Sequence, residues 1–178
     1  MEGLADHELM ARAAKGDGQA FRILAGRHAE RALRLARRIL GNEAMAEDVV
    51  QDAFLRVWIN ASRWRPEAAF RTWLYRIVVN LCLNARRRAS DLPLDAAEHV
   101  PDGGLAPDEQ LGLDERDGRL AAAIDALPPR QRAAIVLTYQ EGLSNAEVAA
   151  VLDTSVSSVE TLLVRGKRAL RTAFESDQ

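Results

Sequence analysis

Arginines and aromatic residues alternate between Arg63 and Ile77, in the stretch RWRPEAAFRTWLYRI. The chain has nine aromatic residues, and six of them lie between Phe54 and Tyr75. Arginine pairs with phosphate and flat rings stack on unpaired bases, so this combination is typical of a surface for single-stranded nucleic acid. The alternative is a helix-rich core whose arginines stay solvated outside it.

The helix that follows Pro66 has two different sides. Phe70, Trp73, Leu74, Ile77 and Leu81 share one side at helical spacing, and we expect them to be core. Another side carries polar groups that suit a base edge or a phosphate. We expect Trp64, in the loop before Pro66, to offer a ring face. The candidate strand-binding residues are Arg63, Trp64, Arg65, Arg71, Arg76, Asn80, Asn84 and Arg87.

The preceding segment, AEDVVQDAFLRVWINA, also has two faces when it is projected at about 100° per residue. Its apolar stripe comprises Val49, Val50, Ala53, Phe54, Val57 and Trp58. Its opposite face presents Asp48, Gln51, Asp52, Leu55 and Ile59. Bulky aliphatic side chains among carboxylates favour a docking surface for a basic partner. The alternative is a solvated acidic face.

The C-terminal segment GLSNAEVAAVLDTSVSSVETLLVRGKRAL has the pattern of a helix-turn-helix. Ser144 and Glu147 form a capping box, Asp153 and Thr154 form a tight turn, and a second capped helix begins at Ser155. We expect Val148, Ala149 and Leu152, then Val156, Val159, Leu162 and Leu163, to be core. Residues near the start of the second helix suit base edges, and the later cations suit phosphates. The candidate DNA-binding residues are Ser144, Ser155, Ser157, Ser158, Glu160, Thr161, Arg165, Lys167, Arg168 and Arg171. The alternative is a helical hairpin with a basic tail.

Charge divides the 178 residues into three parts. Residues 1–88 carry 16 Lys/Arg against 10 Asp/Glu, residues 89–118 carry one against nine, and residues 119–178 carry seven of each. The acidic part is also rich in proline and glycine, which predicts a flexible linker. We therefore predict an all-α fold of two small helical domains, 1–88 and 119–178, joined by an acidic linker at 89–118.

Helix signals set the expected elements along the chain. Asp6 is expected to cap a short helix that ends near Gly16, and Gly41 to end a long one that starts near Asp17. The other expected helices span about 43–61, 68–88, 108–126, 129–141, 144–152 and 155–174.

The sequence lacks the signals that are typical of several classes of protein. No apolar run reaches the roughly 18 residues of a membrane span, and the N-terminus lacks the apolar core of a signal peptide, so we expect a cytoplasmic protein. One cysteine and three scattered histidines form no metal-ligand cluster, and we expect no cofactor. We interpret Cys82 as a small buried hydrophobe and His7, His28 and His99 as exposed or satisfied side chains. An enzyme would need convergent catalytic groups, which the sequence does not offer.

Three blocks resemble the extracytoplasmic-function group of bacterial RNA polymerase sigma factors. AEDVVQDAFLRVW and FRTWLYRIVVNLCLNARRR are similar to conserved region 2, and LPPRQRAAIVLTYQEGLSNAEVAAVL is similar to region 4. The order, the spacing and the length of the chain all fit. A free-standing helix-turn-helix repressor remains the alternative, although it would not explain the acidic-aliphatic face or the Arg/Asn face.

The resemblance implies a set of partners and roles. The face around Asp48, Gln51 and Asp52 would dock on the clamp helices of the largest polymerase subunit, and region 4 on the flap. The loop 63–69, with Arg76, Asn80 and Asn84, would open the -10 element and capture an extruded base. The helix from Ser155 would enter the major groove of the -35 element. An anti-sigma factor would cover these faces until a stimulus releases them. Where many members carry Lys-Ser-Arg in that helix, this chain has Glu160, Thr161 and Leu162, which alters the upstream sequence it can recognise.

Overall fold

The computed structural model describes residues 3–67, 69–91 and 114–175, and these residues form helices and connections with no strand. The α-helices are α1 (Asp6–Ala13), α2 (Gly18–Leu40), α3 (Glu43–Ile59), α4 (Phe70–Asp91), α5 (Asp114–Asp125), α6 (Pro129–Ile135), α7 (Asn145–Leu152) and α8 (Val156–Glu175). A short 3-10 helix spans Ala61–Arg63. The all-α prediction is confirmed, while most of the predicted acidic linker, including residues 108–113 of a predicted helix, lies outside the described residues.

Side-chain caps set the ends of the long helices in the N-terminal half. The Asp17 carboxylate accepts from the backbone N–H groups of Gln19 and Ala20 at 3.0 Å each, which starts α2. Gly41 ends α2 in the left-handed conformation at φ 67°, as predicted. Asn42 then caps α3 through a hydrogen bond from the Met45 N–H.

The expected cap at Asp6 is wrong. Ala5 occupies the cap position of α1, and its N–H donates to the Glu8 carboxylate at 2.7 Å. Asp6 is the first helical residue, and its carboxylate turns toward α2, where it contacts Arg27 at 3.1 Å and His28 at 2.7 Å. The Asp6 side chain, which the local sequence predicted as a helix cap, therefore contacts another helix instead.

The C-terminal half begins with α5 and α6, and α6 continues into a π-helical turn over Val136–Gln140. The sequence predicted regular helix to Glu141, and the wider turn rotates Glu141 relative to that expectation. Helices α6 and α8 approach closely at Gly166, where an added Cβ would lie 2.9 Å from Cγ1 of Ile135. Only glycine fits this crossing without displacing Ile135.

Helix α4 belongs to the N-terminal half of the chain and contacts the C-terminal half. It packs against α2 and α3 on one side and against α6 and α7 on the other. Tyr75, Val78, Val79 and Cys82 are its most deeply buried residues together with Leu74, and Phe70 is also buried. Trp73, Ile77 and Leu81 are only half-buried, because the buried side of α4 is centred on Val78 and Cys82 and the predicted stripe lies at its edge. Burial raises the pKa of the Cys82 thiol to about 12, which fits an inert core residue.

Apolar side chains from both halves join in one continuous hydrophobic core. Among the residues that the structure describes, no helix is long and apolar enough to cross a membrane.

Candidate nucleic-acid interface

The outer face of α3 leaves two large aliphatic side chains in water. Leu55 is 56% exposed and Ile59 is 65% exposed, although the same helix buries Val49, Val50, Ala53 and Val57. Asp48 and Gln51 are exposed beside them, and Asp52 forms an ion pair with Arg56 one turn later at 3.1 Å. Exposed aliphatic groups bordered by carboxylates can bind a surface that is both apolar and basic.

The connection between α3 and α4 borders an open cleft of about 510 Å³. The cleft is lined by Asp6 and His7 of α1, by Phe70 at the start of α4, and by the connecting residues Trp64, Pro66, Glu67 and Ala69. Its volume is sufficient for a nucleotide base, and its wall combines ring faces with carboxylate acceptors. Trp64 is half-buried and packs against the core, so it is less free than the sequence suggested.

A buried histidine holds α1 against the floor of this cleft. The His28 side chain of α2 lies 2.7 Å from Asp6 through Nε2 and contacts the Phe70 ring edge-on at a centroid distance of 4.9 Å. His28 is therefore a satisfied structural side chain, which agrees with its interpretation from sequence. This contact joins α1, α2 and α4 at the wall of the cleft.

Four polar side chains form one exposed row along α4. Arg76, Asn80, Asn84 and Arg87 are all exposed and recur every three or four residues. Arg71 is half-buried beneath them, with its guanidinium 6.0 Å from the Tyr75 ring centre. Arg63 and Arg65 are exposed on the connection before α4. The row can contact a nucleic-acid backbone, while the cleft lies at the N-terminal end of the same helix.

The helix-turn-helix has the predicted capping geometry. The Ser144 Oγ donates to the Glu147 carboxylate at 2.9 Å, and the Glu147 N–H donates back to Ser144 at 3.3 Å. The N–H of Ser144 also donates to this carboxylate, and these bonds hold the pKa of Glu147 below its ordinary value. Ser144 is consequently engaged in the cap, and its hydroxyl is not free for DNA.

Helix α8 presents most of the predicted DNA-binding residues to water. Ser155 caps the helix through the Ser158 N–H, and its hydroxyl also contacts the hydroxyls of Ser157 and Ser158. The remaining candidates Glu160, Thr161, Arg165, Lys167, Arg168 and Arg171 are exposed. The Lys167 ammonium lies 5.1 Å above the Tyr139 ring centre.

One core assignment in α8 is wrong. Val156 is 43% exposed, whereas Val159 and Leu163 are buried as expected and Leu162 is half-buried. The buried row of α8 is centred on Val159, Leu163 and Gly166, and Val156 lies at its edge in the first helical position. Val156 is therefore accessible at the N-terminal end of α8.

Sequence reasoning missed some residues of these surfaces. Val164 is 67% exposed, one turn after Glu160 on the same side of α8, and the i, i+4 spacing could have revealed it. Asp6 and His7 reach the cleft only through the tertiary packing of α1, for which the sequence has no local signal.

Comparison with known families assigns both halves of the chain. Residues 24–91 match the model of sigma-70 region 2, and residues 117–170 match a model of sigma-70 region 4. The two matches together leave unmatched α1 and the start of α2, most of the acidic segment and the C-terminal end.

Two curated relatives are similar over most of this chain. The RNA polymerase sigma factor SigE of Mycolicibacterium smegmatis, of the extracytoplasmic-function type, is 40% identical over 152 residues, which cover 83% of this chain and 59% of SigE. SigW of Bacillus subtilis, of the same type, is 35% identical over 169 residues, covering 88% of this chain and 90% of SigW. Among solved structures, CnrH in complex with the cytosolic domain of CnrY superposes with a TM-score of 0.71 at 30% identity, covering 97% of this chain and 99% of the other.

Proposed function

Because this chain belongs to the extracytoplasmic-function sigma factors of bacterial RNA polymerase, we propose that it binds core polymerase and directs transcription from promoters whose two elements it contacts with its two halves. The family consists of DNA-binding regulators of transcription rather than enzymes. A free-standing repressor is the wrong interpretation, because the N-terminal half matches region 2 over residues 24–91. The observation that carries the proposal is the pairing of an exposed docking face with two separate nucleic-acid surfaces in one chain.

The docking face is the outer side of α3, comprising Asp48, Gln51, Asp52, Leu55 and Ile59. Leu55 and Ile59 would bury their exposed methyl groups against the clamp helices of the largest polymerase subunit. Asp48 and Asp52 would pair with cations at the rim and fix the register.

The -10 surface consists of the cleft beside Trp64 and the exposed row on α4. Extrusion of a base costs a few kcal/mol of lost stacking, so the strand is opened only where a pocket offers compensating contacts. The cleft offers ring and carboxylate groups to the base, while Arg76 and Arg87 contact the backbone. Asn80 and Asn84 provide donors and acceptors for neighbouring base edges.

The -35 surface is the exposed side of α8, inserted in the major groove. Glu160 can accept from the amino group of cytosine, and the methyl groups of Thr161 and Val164 can contact thymine. Arg165, Arg168 and Arg171 follow on the helix and would position it on phosphates. The bounds of the two DNA-binding units are a prediction from the sequence, 1–88 and 119–178.

The proposed partners are core polymerase, promoter DNA and an anti-sigma factor that covers the docking and DNA-binding faces. CnrH was solved with the cytosolic domain of CnrY, which supports a protein partner for a chain of this fold. The proposed location is the cytoplasm, where core polymerase acts.

Transcription by sigma-free core polymerase on a genomic promoter library tests this proposal. The native chain should direct initiation from a small set of sites, and the double variant Asp48→Ala with Asp52→Ala should need at least about tenfold more protein to do so. The matched control, Glu30→Ala with Glu175→Ala, removes two exposed carboxylates elsewhere and should behave like the native chain. No initiation by the native chain, with tight binding to duplex DNA in the absence of polymerase, would overturn the proposal.

A further inference from the structure

The exposed side of α8 carries one carboxylate between two valines. Glu160 is exposed, Val156 lies one turn before it and is 43% exposed, and Val164 lies one turn after it and is 67% exposed. Residues four positions apart are neighbours on a helix surface, with Cβ atoms about 5–6 Å from each other. Val156, Glu160 and Val164 therefore form one continuous row, which we call the Glu160 row.

The hydroxyl groups beside the Glu160 row are already bonded within α8. The Ser155 hydroxyl accepts from the Ser158 N–H and lies within 3.0 Å of the hydroxyl oxygens of both Ser157 and Ser158. The Thr161 hydroxyl donates to the Ser157 carbonyl at 3.0 Å. Thr161 therefore uses its hydroxyl proton inside the helix and adds chiefly a methyl group to the exposed surface.

The Glu160 carboxylate, in contrast, has no hydrogen bond or ion pair with any other residue that the structure describes. An ionised carboxylate only accepts hydrogen bonds, and it repels phosphates. In the major groove, cytosine and adenine present an amino donor, but adenine places the N7 acceptor next to its amino group. Glu160 therefore favours cytosine over the other bases.

The two valines add a second requirement to the base that is recognised. Exposed isopropyl groups gain free energy when they are buried against an apolar group, and the apolar groups that base edges present in the major groove are C5-methyl groups. Thymine carries such a methyl group, but its O4 acceptor lies beside it and would repel the carboxylate. The row as a whole therefore fits an amino donor that lies beside a C5-methyl group.

The place of the row on α8 supports contact with bases. Val156 is the first residue of the helix, and the N-terminal residues of a recognition helix contact base edges. Val159 and Leu163 are buried on the other side of α8, which packs against α6 and α7. This packing fixes the Glu160 row on the outer side of the helix.

We infer that the Glu160 row recognises an amino donor adjacent to a C5-methyl group in the upstream promoter element. The inference rests on the proposed function, because that function places α8 in the major groove. 5-Methylcytosine carries both groups on one base edge, and methylation of the promoter would then strengthen binding. In unmodified DNA, a cytosine next to a thymine presents the same two groups about 3.4 Å apart along the duplex axis.

Four versions of one DNA segment test this inference. Promoters are first selected by the native chain with core polymerase from a library that is randomised only in the upstream segment. The selected segment is then synthesised with cytosine or 5-methylcytosine and with thymine or uracil, so that each pair of versions differs only in methyl groups. The downstream element stays unmodified, which leaves its opening unchanged. The affinity of the chain with core polymerase is measured on all four versions.

The native chain should select promoters that share a cytosine in the upstream segment. One methyl group should change the affinity about fourfold, as a gain with 5-methylcytosine or as a loss when uracil replaces the neighbouring thymine. The gain identifies the methyl group of cytosine itself as the one that the valines contact. The loss identifies the methyl group of the neighbouring thymine.

Variants of exposed residues assign these effects to the Glu160 row. Val156→Ala with Val164→Ala should remove the methyl response and keep the preference for cytosine, because the carboxylate remains. Glu160→Gln should lower the preference for cytosine over thymine about tenfold and keep the methyl response, since the glutamine amide can donate to thymine O4. Leu120→Ala is the matched control, because it shortens an exposed aliphatic side chain on α5, and it should keep both properties.

Equal affinity for all four versions would overturn the inference, as would an undiminished methyl response in the double valine variant. Selected promoters that share no cytosine would overturn it as well. If the chain selects no promoter with core polymerase, the chain alone is offered random duplexes in the same four versions at low salt. A methyl preference that depends on the valines would then retain the inference and overturn the proposed function. Equal binding of all versions would overturn both.

Discussion

At the scale of single residues, the Ser144–Glu147 capping box fixes where the helix-turn-helix begins. Each side chain satisfies a backbone N–H that has no partner within α7. The cap consumes the hydroxyl of a residue that sequence alone assigned to DNA. A serine hydroxyl can bond either a backbone N–H in a helix cap or a phosphate of DNA. The residue type therefore does not distinguish these two roles, and the observed hydrogen-bond partner does.

Replacement of this cap should lower the free energy of unfolding without changing the proposed DNA-facing side of α8. Ser144→Ala removes one acceptor for the Glu147 N–H, and we expect a loss of about 1 kcal/mol in the free energy of unfolding. Urea unfolding followed by circular dichroism measures this loss, with Ser157→Ala as the matched control. A loss below about 0.3 kcal/mol would indicate that water replaces the cap fully.

The cap should also respond to acid. Hydrogen bonds from Ser144, chiefly from its backbone N–H, lower the pKa of Glu147 from 4.5. A depressed pKa contributes stability that is present above the unfolded value and is lost as the pH falls through the folded value. The stability difference between the native chain and Glu147→Gln should therefore be constant near neutral pH and shrink below 4.5. A difference that stays constant in acid would contradict the assignment.

At the scale of helices, the close crossing of α6 and α8 depends on a residue that has no side chain, Gly166. Gly166 is buried where α8 meets Ile135, and a Cβ there would lie 2.9 Å from Ile135 Cγ1. Ile135 is β-branched and 4% exposed, so it has little room to rotate. This contact sets the orientation of the proposed recognition helix on its supporting helix.

Alanine substitutions at two helical glycines, Gly166 and Gly26, should therefore have opposite effects on the free energy of unfolding. Gly166→Ala should lower the free energy of unfolding by about 1–2 kcal/mol, because overpacking exceeds the gain in helix propensity. Gly26→Ala is the matched control, since nothing lies within 4 Å of its added Cβ, and it should raise stability by about 0.5–1 kcal/mol. Thermal or urea unfolding measures both values. Equal stabilisation by the two variants would contradict the close crossing.

The sequence pattern predicted those helix ends that are determined by residues close to them in the chain. Asp17, Gly41 and Ser144 mark helix ends as expected, because their partners lie within a few residues. Two predictions were wrong: the Asp6 carboxylate contacts α2 instead of capping α1, and Val156 lies at the edge of the buried row of α8. The exposed face of α3 followed from periodicity alone.

Tertiary contacts account for what sequence could not predict. Tyr75 was one more aromatic residue in a strand-binding pattern, yet it is buried and bonded to Glu141, 66 positions away. Neither helical period nor residue type indicates a partner at that separation. The cleft between α1 and the loop before α4 is hidden from sequence for the same reason.

At the scale of the whole molecule, the two proposed nucleic-acid surfaces and the proposed docking face lie around a single hydrophobic core. In the proposed function, each half lies at its own promoter element, at a distance fixed by the duplex.

The most direct test of this account is transcription by core polymerase and the native chain on a series of promoters that differ only in the spacing between the two elements. Activity should peak at one spacing and fall at least about tenfold when five base pairs, roughly half a turn of B-form DNA, are added, because the two elements then face opposite sides of the duplex. Asp48→Ala with Asp52→Ala should lower the whole curve without moving its peak. Activity that is independent of spacing, or that persists when the upstream element is scrambled, would contradict recognition of one promoter by both halves of the chain.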